Sequence, residues 1–301
     1  MAPLRFSFVA RESIHFADGK SSNILRGAFG TIFRRIACLP RCLEANACEW
    51  RANCPYARMF EPAATAPGPS GLADWPRPFI LRAGALDGLT VPEGGQFCFD
   101  AHIFDLRPAV LAYFHEAFAQ FGGQGIGPGH GRVTLLRTEQ VDLDDGAAPL
   151  AAGQPLTVDL GLDGLEAPPD AGGRVVVQFL SPTELKSGGT IAPRPEFPIL
   201  FARLRDRVST LRALYGAGPL EIDFRGLGDR AANVRMSRCE VHWEKVERKS
   251  GRTGKVHPLG GFTGTAEYEG EVAEFVPCLR AARWVGVGRQ TVWGKGDVRV
   301  G

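Results

Sequence analysis

The residues of this chain that could do chemistry gather in three places. Near its end, Trp284-Val-Gly-Val-Gly-Arg-Gln-Thr-Val-Trp-Gly-Lys-Gly-Asp-Val298 interleaves Gly286, Gly288, Gly294 and Gly296 with Arg289, Thr291, Trp293 and Lys295. Glycine lets backbone N–H groups come close to an anion, while guanidinium, ammonium and indole groups supply charge and a stacking face. The run is built like a nucleic-acid-binding loop. No Gly-Lys-Ser/Thr and no Rossmann helix pattern follows, so it is neither a P-loop nor a dinucleotide fingerprint. The other reading is a glycine-rich hairpin at a sheet edge. The second place is Cys38, Cys42, Cys48 and Cys54, which fall within 17 residues. Four thiols so close together suit tetrahedral zinc or an iron–sulfur cluster better than disulfides. They lack a Cys-x-x-Cys pair, and the alternative is four reduced cysteines with one or two in a core. The third place is Arg203 and Arg207, four apart on a helical pattern, where they share a face that could follow an RNA backbone or simply meet solvent.

The elements that must position these residues repeat along the chain. Leu4–Arg11 alternates like a strand, and Ile24–Ala37 has Leu25, Phe29, Ile32, Phe33 and Ile36 at helical spacing. Two strand-like runs follow, Pro78–Arg82 and Gln96–Ile103, then the helical Arg107–Phe121, the glycine-dense Gly122–Gly131 and the strand Arg132–Leu136. Residues 145–173 are rich in Ala, Gly, Pro and Asp, with one strand pattern at Leu156–Leu162, and read as a junction. The order then recurs: strand Arg174–Leu180, helix Glu196–Tyr215, strands Val234–Val246 and Val256–Tyr268 around a basic turn, helix Glu271–Arg283, and a glycine-rich final strand over Trp284–Val300. Two βαββαβ units in tandem predict an α+β chain of two ferredoxin-like domains, residues 1–150 and 174–301, with 151–173 as linker and a Cys-rich insertion at 38–61. Such a fold leaves the function open.

Composition excludes several classes. A length of 301 residues with 44% hydrophobic and 23% charged side chains suits two packed domains, and excludes wholesale disorder or a disulfide scaffold. No apolar run approaches the ~20 residues of a membrane span, and no signal segment opens the chain, so a soluble cytoplasmic protein is expected. The net charge of +2 conceals a partition: residues 1–60 carry 9 basic and 4 acidic side chains, 61–200 carry 8 and 17, and 201–301 carry 18 and 12. Of the 35 basic residues 29 are Arg, the side chain that grips phosphate bidentately and stacks on bases.

The C-terminal run, with Trp243-Glu-Lys-Val-Glu-Arg-Lys-Ser250 and Leu259-Gly-Gly-Phe-Thr-Gly264 before it, resembles the signature of CRISPR-associated endoribonucleases that process precursor CRISPR RNA, within the repeat-associated mysterious protein superfamily. Leu25-Arg-Gly-Ala-Phe-Gly30 is similar to that family's first helix, Gly122–Arg132 to the end of its first domain, and Leu180-Ser-Pro-Thr-Glu-Leu-Lys186 to the opening of its second. The cysteine segment resembles an insertion found in a subset of the family. The resemblance implies cleavage without a metal: the ribose 2′-hydroxyl attacks the adjacent phosphate, leaving a 2′,3′-cyclic phosphate, with a base, an acid and a cation in attendance. Relatives carry His after Arg-Gly-Ala-Phe-Gly, and this chain has Thr31. The candidates that remain are His15, Lys20, Arg26, Arg34 and Arg35. His15 has the imidazole suited to proton transfer near neutrality, and the arginines suit phosphorane stabilisation. His102, His115, His130 and His242 show no constellation around them, and His257 precedes Pro258. The resemblance further implies a repeat RNA hairpin as partner, bound in a basic cleft between or across the two domains, with effector-complex subunits as further partners. No cofactor is expected for cleavage, and the cysteines are expected to hold structural zinc or an iron–sulfur cluster. The alternative is a non-catalytic RNA-binding subunit of an effector complex, which Thr31 favours.

Overall fold

Leu4, Phe6 and Phe8 alternate along the first strand and are buried, and the aromatic side chains of the N-terminal helices pack against them. The computed structural model describes residues 1–38, 48–62, 75–107, 109–142, 146–150, 173–249, 254 and 256–301, and the chain divides into two units, Met1–Val158 and Asp159–Gly301. The first unit runs β1 (Ala2–Ala10), β2 (Ile14–His15), α1 (Ser21–Ala37), α2 (Pro55–Phe60), β3 (Phe79–Arg82), β4 (Thr90–Val91), β5 (Gln96–Ile103), α3 (Val110–Ala119), α4 (Phe121–Gln124), β6 (Val133–Val141) and β7 (Ala147–Pro149). Its main sheet has the order β3-β5-β1-β6-β7 with antiparallel pairs, and β2 forms a separate short ribbon with β4. The first four of those strands, taken in chain order, stand 2-3-1-4, the ferredoxin-like arrangement.

The core of this unit is aromatic. Phe6, Phe8, Phe29, Phe33, Phe79, Phe114, Phe118 and Phe121 are fully buried. Phe29 of α1 has ring centroids 4.7 Å from both Phe114 and Phe118 of α3, and Phe118 lies 4.4 Å from Phe6 of β1. The helix face with Leu25, Phe29, Ile32 and Phe33 is therefore held against the sheet, as its spacing predicts, and its outer residues are presented to solvent. The helix starts at Ser21, earlier than its apolar spacing shows. The cause is tertiary: the Ser21 amide donates to Asp87 Oδ1 at 2.9 Å and its hydroxyl to the Ala83 carbonyl at 2.6 Å.

The second unit runs β8 (Arg174–Thr183), β9 (Lys186–Ser187), β10 (Thr190–Ile191), α5 (Phe197–Tyr215), α6 (Phe224–Ala231), β11 (Arg235–Glu244), β12 (Glu247–Lys249), β13 (Val256–Pro258), β14 (Gly261–Glu269), α7 (Val276–Val285) and β15 (Val298–Val300). The sheet order β11-β14-β8-β15 repeats the 2-3-1-4 arrangement. Val175, Val177 and Phe179 of β8 and Ala266 and Tyr268 of β14 are buried, with Phe197 of α5 packed edge-on against Tyr268 at 5.2 Å. Arg174, Gln178 and Leu180 alternate to the other, exposed face.

Several expectations need correction. The final strand expected over Trp284–Val300 is three residues long. Trp284 and Val285 end α7, and the glycines that follow hold φ of 66–77° at 286, 288, 294 and 296, outside the extended region that a regular strand needs. The strand expected over Val256–Tyr268 breaks before Gly261, its first part pairing with β12 as a separate ribbon. The helices α2 and α6 have no counterpart in the periodicity reading, being one to two turns long. The strand pattern Leu156–Leu162 lies outside the described residues.

Candidate nucleic-acid interface

The glycine-rich loop sits on the end of β8. Gly288, at φ 76°, passes so close to the Glu184 carbonyl that any Cβ would collide with it, and Gly296, at φ 67°, does the same against the Val287 carbonyl. Backbone bonds then fix the loop: Val287 N donates to Gly296 O at 3.0 Å, Arg289 N to Glu184 O at 3.1 Å, Gly296 N to Pro182 O at 3.1 Å, and Asp297 N to Ser181 Oγ at 2.9 Å. These amides serve the loop's own architecture rather than an anion. The Ser181–Glu184 stretch and the loop are thus one structure, although more than a hundred residues separate them.

The side chains of the loop divide by burial. Arg289 Nη1 donates to Glu184 Oε1 at 2.6 Å, with the guanidinium 53% exposed and the carboxylate 5% exposed. A buried carboxylate thus orients a guanidinium whose remaining donors face outward. Thr291 and Lys295 are buried, so they belong to the loop's support. Trp293 is half-buried, and Arg248 of β12 stacks over its ring at 3.9 Å, a cation–π contact. Gln290 Nε2 donates to the Pro258 carbonyl at 2.7 Å, tying the loop to the β12–β13 ribbon. The two helical arginines part company. Arg207 Nε donates to Val285 O at 2.6 Å, capping α7 where the loop begins, while Arg203 pairs with Asp206 at 3.1 Å on its own helix.

In the first unit the candidates spread along α1. His15 is exposed on the β2–β4 ribbon with Nδ1 3.0 Å from Thr90 Oγ1. Lys20 stands at the N-cap position of α1, where its side chain makes no capping hydrogen bond. Arg26 is buried against the Phe60 ring at 5.6 Å, and Arg34 lies over Tyr56 at 5.8 Å. Arg35, in the last turn and exposed, donates to Gln120 Oε1 at 2.8 Å. Lys20 and Arg35 are fifteen residues apart, about 22 Å of helix, so the set cannot converge on one phosphate. Thr31 is exposed and its hydroxyl donates to the Gly27 carbonyl at 3.1 Å.

Cys38, Cys48 and Cys54 line one cavity of about 210 Å³ with Trp50 and Pro55. Cys42 lies outside the described residues. Among the described residues no three Cys, His, Asp or Glu side chains come together closely enough to hold a metal ion, and no helix is long and apolar enough to cross a membrane.

Sequence reasoning did not single out Glu184, Arg248 or Gln290, which orient the loop. Their signal is weak, since each pairs with a residue far away in the chain.

Residues 177–298 match the model of CRISPR-associated endoribonuclease Cas6, and residues 1–159 match the AF_1859_N family, described as an N-terminal domain. No curated protein matches the chain by sequence. A Thermus thermophilus Cas6 superposes with a TM-score of 0.56 at 14% identity, covering 99% of this chain and 97% of that one. A Cas6 product complex gives 0.57 at 17% identity with the same coverage. A chain of a partial Cas6-RT-Cas1–Cas2 complex gives 0.59 at 12% identity, covering 100% of this chain and 45% of that one. At such identities the likeness is one of fold.

Proposed function

We propose that the chain is a CRISPR-associated endoribonuclease of the Cas6 kind, a reading supported by the match of its second half to that family and by its fold, and that it binds a CRISPR repeat hairpin and cuts precursor CRISPR RNA without a metal. The 2′-hydroxyl at the cleavage site attacks the neighbouring phosphate, and the products carry a 2′,3′-cyclic phosphate and a 5′-hydroxyl. The observation that carries the reading is the match of residues 177–298, which contains the whole glycine-rich loop and the strand end it sits on. Within that segment the outward guanidinium of Arg289, held by Glu184, is suited to a phosphate, and the Arg248–Trp293 stack to a base or sugar. RNA hairpins are read through shape, phosphates and unstacked bases, and this mixture of groups suits that chemistry. The protein acts in the cytoplasm in this reading and hands its product to effector-complex subunits. Cys38, Cys42, Cys48 and Cys54 would hold a structural zinc or iron–sulfur cluster apart from the chemistry, although the three described cysteines, which line one cavity, do not themselves come close enough together to hold an ion.

The test is cleavage of repeat RNA in EDTA, with and without a single 2′-deoxy nucleotide at the scission site. Cutting in EDTA, a cyclic-phosphate terminus and full loss with the deoxy substrate are expected. A second reading rests on Thr31, whose hydroxyl is spent on the Gly27 carbonyl and cannot serve as a base: the chain would be a non-catalytic RNA-binding subunit. Tight binding of repeat RNA with no cutting under any condition would favour it.

A further inference from the structure

His242, which shows no constellation in the sequence, has one in the fold. It lies on the edge strand β11 directly across from Thr263 of β14, and Glu244 follows two residues later, so all three side chains emerge on one face of the sheet. Tyr268 and Ala266 alternate to the opposite, buried face. Thr263 Oγ1 lies 3.0 Å from His242 Nε2 and 2.6 Å from Glu244 Oε1, and Nε2 is 3.5 Å from the same carboxylate oxygen. An ionised carboxylate only accepts, so the threonine hydroxyl donates to Glu244 and has a lone pair left for the N–H on Nε2. That fixes the tautomer of the neutral ring: the proton is on Nε2, and Nδ1 carries the lone pair on an imidazole 71% exposed. A carboxylate behind a histidine that presents its other nitrogen outward is the arrangement of an oriented general base.

Its position supports the same role. Trp243 and Phe262, the next pair along β11 and β14, are followed across the sheet by Thr183 of β8. The glycine-rich loop is anchored on the residues flanking Thr183, Pro182 and Glu184, and Arg289 is paired with Glu184. The imidazole and the loop therefore occupy one end of one sheet. The other charged groups of β11 on that face are engaged elsewhere, Arg238 with Glu240 and Arg235, beyond the bulge, with Glu269.

Resting on the endoribonuclease reading above, we propose that His242 is the general base of cleavage, with Thr263 and Glu244 as positioning residues. The 2′-hydroxyl proton passes to Nδ1, and the 2′-oxygen bonds to the adjacent phosphorus. The P–O5′ bond then breaks with its electron pair on O5′, which takes a proton from water.

The test is single-turnover cleavage of the CRISPR repeat RNA of the source genome, with affinity measured on the same RNA carrying a 2′-deoxy nucleotide at the cut. His242→Ala should lower the rate by ~10²–10⁴-fold at unchanged affinity, and added imidazole should restore part of it. Thr263→Val and Glu244→Gln should each give a smaller loss in rate alone, and Thr263→Ser, which keeps the relay hydroxyl, should cut like the parent. A His242→Ala protein that cuts at the parental rate, or one whose loss is in affinity and is not rescued by imidazole, overturns the assignment while leaving the endoribonuclease reading intact. A parent protein that never cuts repeat RNA overturns both.

Discussion

Arg289 and Lys295 look equivalent in the sequence, yet the fold gives them opposite exposures, and their substitutions should differ in kind. Arg289→Ala removes an outward guanidinium, so repeat affinity should fall and the slope of log K against log salt should shrink by about one. Lys295→Ala removes a buried cation. Its effect should appear as lost stability in urea titration, about 1–3 kcal/mol, with the salt slope unchanged. A second residue-scale device is Asp105, a buried carboxylate gripped by Arg58 at 2.9 Å and by Arg107. Burial pushes its titration up, and hydrogen bonds from Arg107 and Arg58 outweigh that, leaving it below the ordinary aspartate range. A lowered folded value means that the stabilisation is complete above the unfolded value of ~3.9 and is lost as pH falls through the folded one. Asp105→Asn should therefore cost about 3 kcal/mol at neutral pH, because two guanidiniums lose their charge partner. Below about pH 4 the gap between parent and variant should narrow, as read by thermal melts across pH.

At the scale of elements, the glycine-rich loop is a packed extension of β8. Gly296→Ala would place a methyl group on the Val287 carbonyl at a φ of 67°. The strain should cost about 1–3 kcal/mol and displace Arg289 with the loop, so melting temperature and RNA affinity should fall together. Gly27 is the contrasting case, since it lies inside α1 with no atom within 4 Å of an added Cβ. Gly27→Ala should stabilise the first unit by about 0.5–1 kcal/mol, readable as a higher melting temperature, because alanine loses less backbone entropy in a helix.

For the whole molecule, two copies of one topology are joined in one chain, and the basic residues concentrate at its two ends. The cysteine segment belongs to the first unit and the glycine-rich loop to the second. If the four cysteines hold a metal, elemental analysis of fresh protein should find about one zinc, or iron with visible colour when oxygen is excluded. Stripping it should then lower the melting temperature without slowing cleavage. Finding neither element would leave Cys38, Cys48 and Cys54 as reduced thiols around a cavity.

By itself the sequence determined the tandem βαββαβ order. Period-two and period-3.6 patterns record which side of each element faces a core, and Phe6, Phe8, Phe29 and Phe33 carry that record locally. The glycine-rich run was also legible as a loop, because its glycines stand close together in the chain. Only the tertiary structure decided where α1 begins, through Asp87. It also decided that the loop's amides are spent on Pro182 and Glu184, and that Arg207 caps α7 while Arg203 does not. His242, Thr263 and Glu244 form a cluster only because strand pairing sets positions about twenty residues apart side by side. Register is a property of two strands together, and no spacing within one of them encodes it.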